Sequence, residues 1–322
     1  MSFINSKIKG LILVSTIVLI TKVFSVYLYI GSITLAILIG ILYNHLCPIN
    51  EPFKEGVNFV EKYFLSITII LMGANLDASI LNTNIYKNIY LVIIIIMVGI
   101  FSSFIFGKLF KLSNNLSFLI GIGNGVCGSA AIVSTSSIIK PKKEDIILSI
   151  SIINILGTIS IFLIPMVIHF FYKGDVANHG IIIGSTIQAI GQVTAAGFMM
   201  GNEIGEIAIL IKMIRILMLI PILLLLLLFS IRNYKITKKI SFPFPHFIIG
   251  FLFIFMARNY GLIPLFMLPA IEIVSKYTLL FAMAAIGLTI PLKSIFSKGL
   301  KVFLVGLISF SLQIVVCIYM LS

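Results

Sequence analysis

The sequence has little charge for its length. Only 10% of its 322 residues are charged and ten are acidic, whereas 60% are hydrophobic, and the mean hydropathy is +1.20. Ordinary soluble domains carry about 25% charged residues. The composition therefore excludes a soluble globular protein. Recurring apolar runs of about 20 residues predict an all-α, polytopic membrane protein.

Cysteine and histidine are also scarce. The three cysteines are Cys47, Cys127 and Cys317, which are widely separated and form no CxxC motif. None of the four histidines pairs with another at metal-ligand spacing. A disulfide framework and a metal site are therefore not indicated, and we expect no cofactor. Each cysteine is interpreted as a small apolar packing residue.

The motifs of intramembrane enzymes are missing as well. A protease would need paired aspartates, a Ser/His arrangement or HExxH at membrane depth, and the sequence contains none of these. Asp175 lies in a loop and has no intramembrane aspartate partner. We therefore expect a protein that is not an enzyme.

The formal charge of +13 does not indicate nucleic-acid binding. Lys and Arg fall mostly in short loops between apolar runs, where such residues orient helices in a membrane. The basic start at residues 1–10 runs into apolar sequence without a cleavage pattern, which predicts a retained first helix. We expect a plasma membrane protein, of bacterial type, with no nucleic-acid partner.

Eleven apolar elements are predicted, and no linker divides the chain into soluble domains, so residues 1–322 are predicted to form one membrane domain. Their predicted bounds are 8–25, 31–46, 57–77, 87–108, 116–139, 146–171, 180–200, 205–231, 246–260, 270–291 and 299–320.

Loop charge predicts a cytoplasmic amino terminus. With all eleven elements spanning, one side of the membrane receives twice as many Lys and Arg residues as the other. One loop, KPKKED at 140–145, then lies on the wrong side. If 116–139 and 180–200 are both re-entrant, that loop moves inside and Lys173 moves outside. Full spanning is the favoured path, and re-entry remains the alternative.

Two polar interruptions stand out from the apolar background. They are GIGNGVCGSAAIVSTSS at 121–137 and the stretch from 184 to 215, both rich in glycine, amides and hydroxyls. Backbone groups freed by a helix break at membrane depth must face protein or a water-filled cavity. Breaks in both halves of a transporter indicate a midplane substrate site. We interpret the two stretches as walls of one buried site.

Lys212 and Arg215 are three residues apart and project from one helix face. Each costs about 2.5 to 3.5 kcal/mol near the bilayer centre, so the face should meet a partner, water or a substrate, and an anion is the natural complement. Snorkelling to an interface is the alternative. The predicted substrate-binding residues are Lys212, Arg215, Asn124, Gly125, Gly128, Ser129, Ser185, Gln188 and Gln192. Singly, each neutral member is more often a helix-packing residue.

A polar stripe marks the sixth predicted element. Ser151, Asn154 and Thr158 recur at helical spacing. We expect the stripe to face the protein interior, as packing or as lining of the site.

Four segments carry a family resemblance: VCGSAAI (126–132), SIIKPKKEDIILSI (137–150), GQVTAAGF (191–198) and IKMIRILMLIP (211–221). In their order and spacing the chain resembles the YeiH family of bacterial membrane proteins, whose assigned activity is sulfate export. The resemblance implies a multi-pass carrier with a fold similar to bile-acid symporters and cation/proton antiporters. It also implies an additional first helix and two inverted five-helix repeats with broken helices, here 27–172 and 178–322.

One departure from the family concerns proton coupling. Members commonly show His followed by an acidic residue where this sequence has Gln188 and Ala189. Proton coupling is therefore left open here.

The resulting hypothesis is a secondary transporter that exports a small inorganic or sulfonated anion by alternating access. A carrier for an organic anion or another solute coupled to cations is the first alternative. A channel and a non-transporting assembly protein are the others. The expected partners are a small anion and the lipid bilayer, and homo-oligomerisation is left open.

Overall fold

A computed structural model describes residues 2–28, 32–74, 85–233, 246–289 and 299–322. These residues form helices joined by short connections, and no strand occurs among them. The prediction of an all-α polytopic membrane protein is confirmed. Within the described ranges, six helical stretches are long and apolar enough to cross a membrane: Lys7–Ser25, Tyr86–Leu109, Lys143–Phe171, Asn202–Leu228, Leu265–Thr289 and Leu300–Leu321.

The helices are numbered here in chain order. They are α1 (Ser2–Leu28), α2 (Ser32–Leu46), α3 (Glu51–Met72), α4 (Ile85–Leu109), α5 (Asn114–Gly125), α6 (Ser129–Ile139), α7 (Lys143–Phe171), α8 (Val176–Thr186), α9 (Ile190–Met200), α10 (Asn202–Leu217), α11 (Leu219–Asn233), α12 (His246–Asn259), α13 (Leu268–Thr289) and α14 (Leu300–Leu321). A 3₁₀ turn, Leu265–Met267, precedes α13.

Contacts divide the chain into two compact units, each built from two separate stretches of sequence. The first unit comprises Met1–Thr83 and Pro245–Ile295, and the second comprises Asn84–Phe244 and Phe296–Ser322. The predicted repeats, 27–172 and 178–322, cut across this division, because each unit draws on both. The repeats stay a prediction.

The first unit holds α1 to α3, α12 and α13, and its helices approach closely at glycines. A Cβ on Gly40 of α2 would lie 2.8 Å from the carbonyl oxygen of Ala284 on α13, and a Cβ on Gly73 would lie 2.7 Å from that of Phe251. Small residues commonly allow helix backbones to meet this way in membranes. Packing therefore accounts for these two glycines.

In the second unit, residues 114–139 form a hairpin of α5 and α6 and do not cross the unit. Ser113, which caps α5, donates its hydroxyl hydrogen to Asp145 Oδ2 (3.1 Å) at the start of α7. Because α6 ends at Ile139, just before α7 begins, both arms have their outer ends at the same end of the unit. We call α5 and α6 the first hairpin and residues 126–128 its tip.

The second interruption is a hairpin too, made of α8 and α9. Gly180 of α8 lies against Ile207 of α10, and Gly184 lies against Ile211, so α8 and α10 run parallel. Since α10 starts directly after α9, α9 returns to the end at which α8 began. We call this the second hairpin and residues 187–189 its tip.

Re-entry therefore replaces the favoured prediction that 116–139 and 180–200 span. Each arm has only 11 or 12 residues, which gives a length of about 17 Å, against a hydrocarbon core of about 30 Å. A single arm ends partway across. Loop charge had left re-entry open as the alternative. Spanning was favoured because the two arms of each hairpin together have the length of one span.

Re-entry also changes which charges share an end of the second unit. α5 packs antiparallel to α4, with Gly107 beside Ser117 and Gly121 beside Ile100. α14 begins beside Leu148, near the start of α7. The end that contains the base of the first hairpin therefore carries Lys108, Lys111, Lys140, Lys142, Lys143 and Lys301. The opposite end carries Lys87 and Lys173, so the loop at 140–145 no longer opposes the other charges.

Candidate functional site

The tips of the two hairpins meet inside the second unit. A Cβ built on Gly128 would lie 3.7 Å from Gln188 Cβ and 3.9 Å from Ala189 Cβ. Gly128 has φ +70°, a conformation that side chains with a Cβ rarely adopt. The predicted proximity of the two polar interruptions is therefore observed, and a glycine is required at the point where they touch.

Lys212 and Arg215 of α10 reach both tips and are fully buried. Lys212 Nζ donates to the carbonyl oxygens of Val126 (2.7 Å) and Ile187 (2.8 Å). Arg215 donates through Nε to Gly125 O (2.6 Å) and through Nη1 to Ile187 O (3.0 Å). It also donates through Nη2 to Asn124 O. The snorkelling alternative is therefore wrong.

These acceptors are the carbonyl groups left over where helices α5 and α8 end. The preceding carbonyls, of Ile122 and Gly123, already accept from backbone N–H groups. Helix carboxyl ends carry partial negative charge, and lipid supplies no donor. Two buried cations at this position neutralise the two ends and join the hairpins.

Donor capacity remains on both side chains. An ammonium group has three N–H donors and a guanidinium has five. The hydrogen bonds described use two on Lys212 and three on Arg215. One donor on Lys212 and two on Arg215 are left, so a role in attracting an anion stays a prediction.

The amino ends of α6 and α9 supply a second set of donors at the tips. The first intrahelical bonds run from Ile132 N to Gly128 O and from Val193 N to Ala189 O. The three N–H groups that begin each helix consequently lack intrahelical acceptors. Ser129 and Ile190, the first residues of these helices, are partly exposed. Helix amino ends attract anions through these N–H groups and through the dipole.

Three predicted site residues hold the tips in shape. The Gln192 Oε1 atom accepts from the backbone N–H of Ala189 (3.0 Å) and so caps α9. Asn124 donates through Nδ2 to Gly306 O (2.9 Å) on α14 and accepts from Gln188 Nε2 (3.1 Å) through Oδ1. Asn124 and Gln188 thereby connect the two hairpins by side-chain hydrogen bonds.

Ser185 lies away from the tips. Its hydroxyl contacts Cys317 Sγ (3.1 Å) on α14 and Ile182 O (3.3 Å) within α8. Gly125 contributes its carbonyl oxygen to Arg215, and its Cα faces Ile96 of α4. In the part of the chain that the structure describes, no contact brings the Ser185 side chain into the group formed by the other predicted residues.

Cys127, interpreted from the sequence as a packing residue, lies at the tip of the first hairpin. It is buried and within electrostatic range of Lys212 and Arg215. Its position inside the first interruption was the signal in the sequence that placed it beside the site.

Gln313 of α14 makes structural contacts outside both tips, and the sequence did not single it out. It is fully buried and donates through Nε2 to Ile95 O (2.9 Å) and Asn124 O (3.4 Å). The role of Ile187 was not visible either, because it acts through a backbone carbonyl.

The polar stripe on α7 does not face the interior as packing. Ser151 and Asn154 are exposed, and Thr158 is half-buried. Their neighbour Ile153 contacts the tip of the first hairpin, at 3.7 Å from a Cβ built on Gly128. For these side chains at the level of the tips, lining of the site stays a prediction.

Comparisons with known proteins identify the family of the chain. The sequence profile of a family described as "Conserved hypothetical protein 698" matches residues 9–306. A UPF0324 membrane protein of Staphylococcus epidermidis is 32% identical over 306 residues, covering 93% of this chain and 92% of the relative. One from Bartonella henselae is 31% identical, with 86% and 79% covered, and one from Clostridium perfringens is 30% identical, with 86% and 84% covered. The resemblance seen in the sequence is thus confirmed, and the chain belongs to the UPF0324, or YeiH, family of membrane proteins.

Proposed function

We propose that the protein is a secondary transporter that binds a small oxyanion at the meeting tips of its two hairpins. One observation carries the proposal. Two pairs of helix ends meet there, and the carboxyl ends of α5 and α8 are neutralised by Lys212 and Arg215. The first N–H groups of α6 and α9, those of Ser129 and Ile190, would be available to a ligand.

The charge balance at the tips favours an anion over a cation. Lys212 and Arg215 add two positive charges. Ser129 and Ile190 begin α6 and α9, whose positive amino ends face the same region. Among the described residues no carboxylate hydrogen-bonds to any of these groups. A cation would meet like charge, whereas an oxyanion with spread charge would complete the donor set.

The proposed mode of transport is alternating access to this site. Broken helices at membrane depth allow small movements of the tips to open or close a site without exposing backbone to lipid. Ser151 and Asn154, exposed at the level of the tips, would line the route. The anion is moved without chemical change, and neither enzymatic activity nor a cofactor is part of the proposal.

The proposed orientation follows from the lysines of the second unit. The end with Lys108, Lys111, Lys140, Lys142, Lys143 and Lys301 would face the cytoplasm of the cell whose plasma membrane holds the protein. The amino terminus would also be cytoplasmic. Export as the direction, and sulfate or a sulfonate-like anion as the cargo, rest on the resemblance to the YeiH family.

The test is anion flux in proteoliposomes containing the purified full-length protein. Proline at the first position of a helix removes one N–H and keeps the helical backbone. Ile190→Pro therefore removes a proposed donor, and Ala189 before it is already extended, as proline requires. Asn114→Pro makes the same change at the start of α5, remote from the tips.

We expect saturable flux in the wild type, a several-fold rise in the half-saturating concentration for Ile190→Pro, and wild-type flux for Asn114→Pro. Flux that does not saturate would favour a channel, and flux that requires a cation gradient would favour the cation-coupled carrier. No flux of any anion would overturn the proposal and favour an assembly role.

A further inference from the structure

We infer that the substrate is an oxyanion that itself carries an O–H group, and that the side-chain oxygen of Gln188 accepts the hydrogen bond from that group. The inference rests on the proposed function and narrows its substrate class, and it departs from the sulfate cargo that the resemblance to the YeiH family implies. A donor-bearing oxyanion, such as hydrogenphosphate, hydrogensulfite or bicarbonate, would be selected over one without a donor, such as sulfate.

The starting observation is an unpaired atom at the tips. Gln188 is fully buried, yet its Oε1 has no hydrogen-bond partner among the described residues. A buried acceptor left unpaired is costly, and native structures hold few of them. An unpaired oxygen beside a candidate binding site therefore indicates a donor supplied from outside the chain.

The orientation of this amide is fixed by its neighbours. Gly306 O can only accept, so Asn124 must turn its Nδ2 toward it (2.9 Å). Asn124 then offers Oδ1 to Gln188, which must answer with Nε2 (3.1 Å). Rotating the Gln188 amide by half a turn would set two oxygens against each other. Oxygen is therefore the free atom of Gln188.

The position of Gln188 places this acceptor beside the proposed donors. It directly precedes Ala189, the N-cap of α9. Its Cβ lies 3.7 Å from a Cβ built on Gly128, the N-cap of α6. The site thus combines N–H donors from two helix ends with one acceptor that no residue of the described chain satisfies.

That combination distinguishes an oxyanion that carries an O–H group from one that is fully deprotonated. The helix ends bind the charged oxygens of any oxyanion equally well. An anion with an O–H also satisfies Gln188 Oε1, whereas a fully deprotonated anion sets an oxygen against it and leaves it unpaired. Sites built to bond a substrate hydroxyl reject analogues that lack it far more strongly than apolar pockets reject a missing methylene.

Gln313 provides a matched internal control. It too is fully buried with an unpaired Oε1, and its Nε2 is held by Ile95 O and Asn124 O. It sits on α14, not in either tip. If an unpaired amide oxygen acted only through stability, the two glutamines would behave alike.

The experiment measures equilibrium binding of sulfate and hydrogenphosphate to the purified full-length protein. At alkaline pH both are tetrahedral dianions of similar size, but only hydrogenphosphate carries an O–H. We expect the wild type to bind hydrogenphosphate about tenfold more tightly than sulfate. Gln188→Met should reduce that ratio to about one, and Gln313→Met should keep the wild-type ratio.

The outcomes separate the two proposals. Equal binding of both dianions by the wild type would overturn the inference but still support the proposed anion site. This comparison uses only the wild-type protein, so it does not depend on whether a variant folds. A preference that survives Gln188→Met, or that Gln313→Met removes equally, would also overturn it. Binding of neither anion would remove the proposed function itself.

Discussion

Lys212 and Arg215 share one acceptor, the carbonyl oxygen of Ile187, which lies 2.8 Å from Lys212 Nζ and 3.0 Å from Arg215 Nη1. Their other acceptors, including Val126 and Gly125, belong to the first hairpin. One helix face thereby fastens the tips of both hairpins. The two cations act first on the protein's own backbone, and only their remaining donors are open to a ligand.

Removing either cation should destabilise the protein. Lys212→Met leaves Val126 O without its donor, and an unsatisfied buried acceptor costs about 1–3 kcal/mol. Arg215→Met withdraws three hydrogen bonds and should cost more. Thermal or denaturant unfolding in detergent measures both. Lys301→Met, at an exposed position on α14, should change stability by less than about 0.5 kcal/mol. Equal stability of Lys212→Met and Lys301→Met would contradict the bridging role.

The re-entrant path can be checked by the side from which single cysteines react. In a Cys47→Ser background, we expect Lys108→Cys and Lys142→Cys to react with a membrane-impermeant maleimide from the same side. Lys173→Cys should react from the other side. All three lysines are exposed, and Cys127 and Cys317 are buried. Full spanning predicts the reverse pairing, with position 173 joining 108 and position 142 opposite them.

Gly157 and Gln192 should be energetically coupled. A Cβ on Gly157 of α7 would fall on the Gln192 side chain. Gly157→Ala should therefore displace the amide that caps Ala189 N, at a cost of about 1 kcal/mol. Gln192→Leu removes the same cap, so the double variant should be no less stable than the less stable of the two single variants. Strictly additive losses in a double-mutant cycle would show that the glycine acts elsewhere.

Much of the candidate site could be predicted from residue type alone. A lysine and an arginine three residues apart in an apolar run must find partners at membrane depth, and the glycine-rich stretches must break helices. Those arguments placed Lys212, Gly128 and Gln188 in one group, and the contacts among the tips agree. Ser185 has the same polar character but contacts Cys317 instead, because its helix face turns toward α14.

The hydrogen-bond partners of Lys212 and Arg215 could not be predicted from the sequence. Backbone carbonyls are present at every residue, so no pattern indicates that Ile187 O receives two donors. The sequence also could not show that the side-chain oxygen of Gln188 is unpaired. That depends on two hydrogen bonds through Asn124, the first of which is accepted by Gly306 O, more than a hundred residues away.

Composition and periodicity by themselves determined that this protein is helical, resides in a membrane and breaks its helices at two polar stretches, because transfer free energies act residue by residue. Only the tertiary structure decided that those stretches turn back instead of crossing. Hydropathy measures the length of an apolar stretch but not whether the chain reverses direction within it. The Ser113 to Asp145 contact and the parallel packing of α8 on α10, which show the reversal, depend on where distant segments lie.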